Sequence, residues 1–164
     1  MSSAQDIAQW VEAWGRQAGI ELVPDAKGHF SFVADGLPIR LSMEGEVSSS
    51  MLAALLQDND VAASPSIMRA LLEFVHLGVA SQRCAVSLSE NGRPVVWLWI
   101  DWSGLDYSAL TNTLDGFVAV ATAARQLLTD TQPFNPAAGR EIAAQLVKDD
   151  WMSEFGPLSG AVRV

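Results

Sequence analysis

Positive charge is what this 164-residue chain has least of: ten Lys and Arg stand against nineteen Asp and Glu, a formal net charge of −9. Only Lys27 and Lys148 are lysines, and the arginines are scattered. No basic cluster is present to neutralise phosphates, which excludes nucleic acid as a partner and disfavours anionic lipid surfaces. An acidic chain accepts basic or amphipathic partners better, and its charge keeps a sticky surface in solution. Cysteine is nearly absent. The single thiol, Cys84, rules out an internal disulfide and fits a reducing cytosol. No apolar run nears the roughly 20 residues that a membrane helix needs, so no membrane insertion is expected. The opening Met1-Ser2-Ser3-Ala4-Gln5-Asp6 lacks the basic start and apolar core of a signal peptide, and a cytoplasmic location is expected.

Catalytic vocabulary is equally thin. His29 and His76 are the only histidines. A metal site needs three or four ligands, often in local pairs, and none is present. A Cys84–His76 nucleophile pair is conceivable, but Cys84 opens an alternating apolar run where a small buried hydrophobe is expected. There is no phosphate-cradling glycine loop and no G-x-S-x-G. Asp149-Asp150 reads as a solvated helix face or end. The sequence therefore predicts no enzyme, no cofactor and no metal.

What is present is apolar. Hydrophobic residues make up 49% of the chain and mean hydropathy is +0.19, values of a folded protein long enough for one domain. Three- and four-residue spacing marks helices. Ile7, Trp10, Val11, Trp14 and Ala18 predict one over 4–18, with Ser2 or Ser3 as cap and Gly19 at its end. Ser64-Pro65 starts a second, with Ile67, Met68, Leu71, Leu72 and Val75 on its face and Gly78 after it. Leu110, Leu114, Phe117, Ala121, Ala124 and Leu128 predict a long helix over 106–129. Residues 138–152, with Ile142, Leu146, Val147 and Trp151, read as a further helix, and the end from Gly156 as loose.

Alternation marks strands. His29–Ala34 and Leu37–Glu44 flank Asp35-Gly36, a strong hairpin signal, with Pro38 beside the turn or at an edge. Ile39, Leu41 and Met43 share one face of the second run; Phe30 and Phe32 share one face of the first, either core or outward. Cys84–Leu88 and the tryptophan run flank Asn91-Gly92. Val47–Gln57 has helical propensity between turn-like stretches, and pattern alone leaves helix and strand open.

The run Val95-Val96-Trp97-Leu98-Trp99-Ile100-Asp101-Trp102 is the most informative. One strand face carries Val95, Trp97, Trp99 and Asp101, the other Val96, Leu98, Ile100 and Trp102. A small α+β domain covers one sheet face with one helix layer. Left bare, two tryptophans make a patch of about 300–500 Å², as large as the biggest on a typical monomer. That face either meets another polypeptide or is sandwiched inside the fold. Asp101 either ends the strand or contacts a partner's arginine.

The order helix, hairpin, third segment, helix, hairpin, long helix resembles the class I chaperones of bacterial type III secretion, the CesT-like family. The resemblance covers roughly residues 5–130. It rests on the opening helix ending Ala18-Gly19-Ile20, the Phe30–Met43 hairpin, the helix Ile67–Leu77 before the Asn91-Gly92 hairpin, and the closing helix Leu110–Leu128. It implies an α+β fold, an antiparallel twisted sheet with flanking helices, over residues 1–130, with 131–164 as a C-terminal extension. It also makes Val47–Gln57 a strand, against local propensity.

The function implied is that of a homodimeric, non-enzymatic bacterial chaperone. Its partners would be N-terminal segments of secreted effectors, with the secretion ATPase a further candidate. Met68, Leu71, Leu72, Val75, Val95, Trp97 and Trp99 are the expected dimer interface; Trp10, Trp14, Phe32 and Ile39 are the expected client groups. The chain departs from the family in its tryptophan content, in Glu73-Phe74-Val75 after Leu71-Leu72 where an asparagine is frequent, and in its long C-terminal segment. These departures point toward a broad-specificity, export-control member of the plant-pathogen type. The rival reading is an adaptor that delivers a folded partner to a secretion machine and depends on residues 131–164.

Overall fold

Three helices turn their apolar stripes onto one face of a six-stranded antiparallel sheet in the computed structural model, which describes residues 4–43, 49–57, 64–75 and 83–129. Helix α1 spans Ala4–Ala18 and buries Ile7, Val11 and Trp14. Gly19 ends it with φ 68°. The Ile20 N–H then bonds the Gly15 carbonyl at 2.8 Å, closing a Schellman cap. Strand β1 (Val23–Pro24) is short, and a turn leads from it to β2 (Phe30–Ala34). The side chain of Asp25 holds that turn, accepting the N–H groups of Lys27 at 2.8 Å and His29 at 3.0 Å.

Strand β2 pairs with β3 (Leu37–Met43) across Asp35-Gly36, whose φ angles of 51° and 75° are those of a type I′ turn. Pro38 lies beside this turn, opposite Val33. Strand β4 (Ser49–Leu55) pairs with β3, so the described part of the ambiguous segment is a strand over 49–55, as the family resemblance implies and local propensity does not. A chain of seven apolar or small residues alternates between two faces without showing it in sequence, because both faces take them.

Helix α2 (Pro65–Val75) starts with Ser64 as cap, its hydroxyl accepting the Ile67 N–H at 3.4 Å. Strands β5 (Ala85–Leu88) and β6 (Pro94–Asp101) form the second hairpin. Its turn is one residue wider than Asn91-Gly92 alone suggests: Ser89 and Arg93 close it through a 2.9 Å bond, with Gly92 at φ 73°. Strand β6 inserts beside β4, leaving β1 and β5 at the edges in the order β1-β2-β3-β4-β6-β5. Helix α3 (Tyr107–Thr129) is capped by Asp106, which accepts the Ala109 N–H at 2.8 Å.

The core lies between helices and sheet. Phe30, Phe32, Ile39, Leu41, Leu52, Ala54, Val96, Ile100 and Trp102 meet Ile7, Val11, Trp14, Ile67 and Leu71 there. All six α3 residues singled out by spacing join them: Leu110, Leu114, Phe117, Ala121, Ala124 and Leu128. Gly15 lets Leu22 fold under α1, since a Cβ there would stand 2.6 Å from Leu22 Cδ1. The expected helix over 138–152, the extension 131–164, His76 and Gly78 lie outside the described residues.

Candidate functional site

Register assigns every strand residue to a face. Ala53 faces Trp97, Met51 faces Trp99 and Leu55 faces Val95 across β4–β6, and Ala85 faces Trp97 from β5. All of these, with Val33, Arg40 and Ser42, lie on the face opposite the helices. Exposure on β6 is graded along this face. Val95 is fully buried, Trp97 is half-buried and Trp99 is 44% exposed. The tryptophan strand is therefore not a sandwiched one: its second face opens toward the Asp101 end.

Asp101 itself ends the strand. It is fully exposed, and its carboxylate accepts the Ser103 N–H at 2.8 Å; bonds from Ser103 hold its carboxyl below the ordinary value. Farther along the same face, Arg40 is buried and its Nη2 donates to Asp25 Oδ2 at 3.0 Å. Burial opposes ionisation of Asp25. The N–H groups of His29 and Lys27, with the charges of His29 and Arg40, outweigh it and hold the carboxyl below its ordinary value.

A second apolar surface lies on α2, where Pro65, Met68, Arg69, Leu72 and Glu73 line a shallow depression. Leu72 is 55% exposed, and the Arg69–Glu73 ion pair at 2.9 Å borders it. A third group stands on the helix side, where Trp10 and Tyr107 meet edge to face at 6.5 Å. No chemistry gathers at any of them. Among the described residues no group of three His, Cys, Asp or Glu could hold a metal, and burial pushes the Cys84 thiol up to about 11, away from nucleophilic use. Among those residues no helix is long and apolar enough to cross a membrane.

The model of the Tir chaperone protein (CesT) family matches residues 9–125. The chain belongs to this family. Its fold is that of type III secretion chaperone structures. A chain of the ExsC–ExsE complex aligns with TM-score 0.60 at 20% identity over 78% of this chain and 97% of its own. A chain of the HopA1–SchA chaperone–effector complex gives 0.52 at 16%, over 73% and 96%. One from the Yersinia pestis type III secretion chaperone SycH in complex with a YscM2 fragment gives 0.51 at 13%, over 71% and 98%. No curated protein sequence matches the chain.

Within this CesT fold the expected interaction residues separate. Met68, Leu72, Val75, Trp97, Trp99 and Trp10 reach the surface wholly or in part. Leu71 and Val95, expected at a dimer interface, are fully buried inside the protomer. Trp14, Phe32 and Ile39, expected to receive a client, are core: Trp14 packs edge to face on Phe32 at 5.4 Å and donates Nε1–H to Asp115 at 2.8 Å. The reason is one of layers. Helices α1 and α3 cover the sheet face that β2 and β3 present through Phe32 and Ile39, so these side chains pack inside the protomer. Met51 and the Asp25–Arg40 pair were not singled out from sequence. Only the register across β4, unreadable in Met51-Leu-Ala-Ala-Leu-Leu56, puts Met51 beside Trp99.

Proposed function

We propose that this CesT-family chain is a non-enzymatic cytoplasmic chaperone of a bacterial type III secretion system. It binds N-terminal segments of effector proteins and keeps them competent for export. The observation that carries the reading is the family match over residues 9–125, which takes in most of α1 and α3, all of α2 and the whole sheet. The complexes ExsC–ExsE and HopA1–SchA, whose chains share its fold, supply the kind of partner.

Two surfaces support a division of labour. The open end of the tryptophan face (Trp97 and Trp99) and the outer side of α2 (Met68, Leu72 and Val75) suit a second copy, because an isologous contact is the commonest way to hide such patches. The sheet edges β1 and β5 and the Trp10–Tyr107 pair suit an extended client, which would add main-chain bonds along an edge and seat apolar side chains in pockets. The secretion ATPase is a further partner on this reading. The test is co-expression with N-terminal segments of candidate effectors, followed by copurification and light scattering. A two-to-one chaperone–client assembly supports the reading; a lone monomer that retains no segment refutes it.

A further inference from the structure

The outer face of the sheet is better covered than the three helices account for. Met51, Ala53, Leu55 and Val95 point away from the helices, yet they are 6%, 1%, 0% and 0% exposed. Arg40 on the same face is 7% exposed, and so is Arg93, two residues before Val95. A sheet face open to water keeps its side chains accessible, so a further stretch of polypeptide must lie over these. Exposure rises along β6 through the half-buried Trp97 to Trp99 at 44%. The cover is therefore thickest where β6 begins.

Helix α3 stops at that same end. Arg125 near its close donates to the Gly36 carbonyl at 2.8 Å, and the Thr122 hydroxyl donates to Asp35 Oδ2 at 3.4 Å. The Asp35-Gly36 turn opens β3, and the ladder runs from Ile39 through Ala54 to Val96. Leu55 and Val95, one residue along their strands, stand at the turn end of the sheet. We propose that residues 131–164 pass from the end of α3 onto the outer face and cover Leu55 and Val95. The internal stretches outside the described residues are each spent joining two elements: 44–48 links β3 to β4, 58–63 links β4 to α2, and 76–82 links α2 to β5. The C-terminal segment is held at one end only. A helix over 138–152, carrying Ile142, Leu146, Val147 and Trp151, would be about 22 Å long, the width of about four strands. Buried guanidinium groups need acceptors, and the segment supplies Glu141, Asp149, Asp150 and Glu154. The cover ends short of Trp99 and leaves that end of the face to a second copy.

The test is methyl nuclear magnetic resonance on the full chain, with labelled and unlabelled copies mixed so that contacts within a chain are separated from contacts between chains. Cross-peaks from the Leu55 and Val95 methyls to side chains of residues 131–164 of the same chain are expected. Leu146→Ser combined with Trp151→Ser should shift both methyl signals and leave those of Leu71, buried on the helix side, in place. Methyls that make no contact with residues 131–164 of their own chain, whether they meet a second copy or another part of the protomer, overturn the proposal. So do Leu55 and Val95 signals that the double variant leaves unmoved. Effector segments do not enter either reading, so a failure of client binding leaves the proposal standing.

Discussion

Leu71 and Leu72 are neighbours in sequence with opposite duties. Leu71 is fully buried between α2 and the sheet, and Leu72 is 55% exposed. Leu71→Ala should destabilise the protomer by about 2–5 kcal/mol in denaturant unfolding. Leu72→Ala should stay within about 0.5 kcal/mol there, yet weaken self-association in sedimentation. The Asp25 carboxyl gives a pH signature. Because its folded value is depressed, the stability it contributes is present above the ordinary aspartate value of about 3.9 and lost as pH falls through the lower folded value. Acid unfolding curves should therefore lose that contribution in the wild type, while Asp25→Asn should lack it at neutral pH and fall less steeply. Cys84, with its thiol raised to about 11, should react slowly with a disulfide reagent at pH 8 until the chain is unfolded.

At the scale of elements, the Asp35-Gly36 turn sets the register of β2 on β3. Gly36→Ala must adopt φ near 75° and sets a Cβ 3.4 Å from Arg125 Nη1, which itself donates to the Gly36 carbonyl at 2.8 Å. A loss of about 1–2 kcal/mol is expected in thermal unfolding. This hairpin and all three helices were legible in sequence because each has a period or a turn that only one structure satisfies. The α3 stripe of Leu110, Leu114, Phe117, Ala121, Ala124 and Leu128 is buried throughout. Strand β4 was not legible from pattern: Met51, Ala53 and Leu55 on one face and Ser50, Leu52 and Ala54 on the other are all apolar or small. The burial of Trp14, Phe32 and Ile39, expected as client groups, was not legible for the same physical reason. An aromatic that fills a core and one that fills a groove have the same spacing, and only the position of the covering helix separates them.

At the scale of the molecule, one sheet face is roofed by helices and the other opens at Trp99. If that opening is closed by a second copy and the dimer is obligate, melting temperature must rise with protein concentration by mass action. Trp99→Asp should abolish that dependence and leave the fold intact, since the indole is 44% exposed in the protomer. A melt independent of concentration over two decades would remove the obligate dimer but not the family assignment.

The most direct test of client holding is capture of the tagged chain from its native cytosol, limited proteolysis of the captured complex, and mass identification of the fragments that survive. Protected fragments from the N-terminal segments of secreted proteins are expected, and the number of parent proteins tells a dedicated chaperone from a general one. Recovery of only a second copy, or of one intact folded cytosolic protein, would contradict a client-holding role.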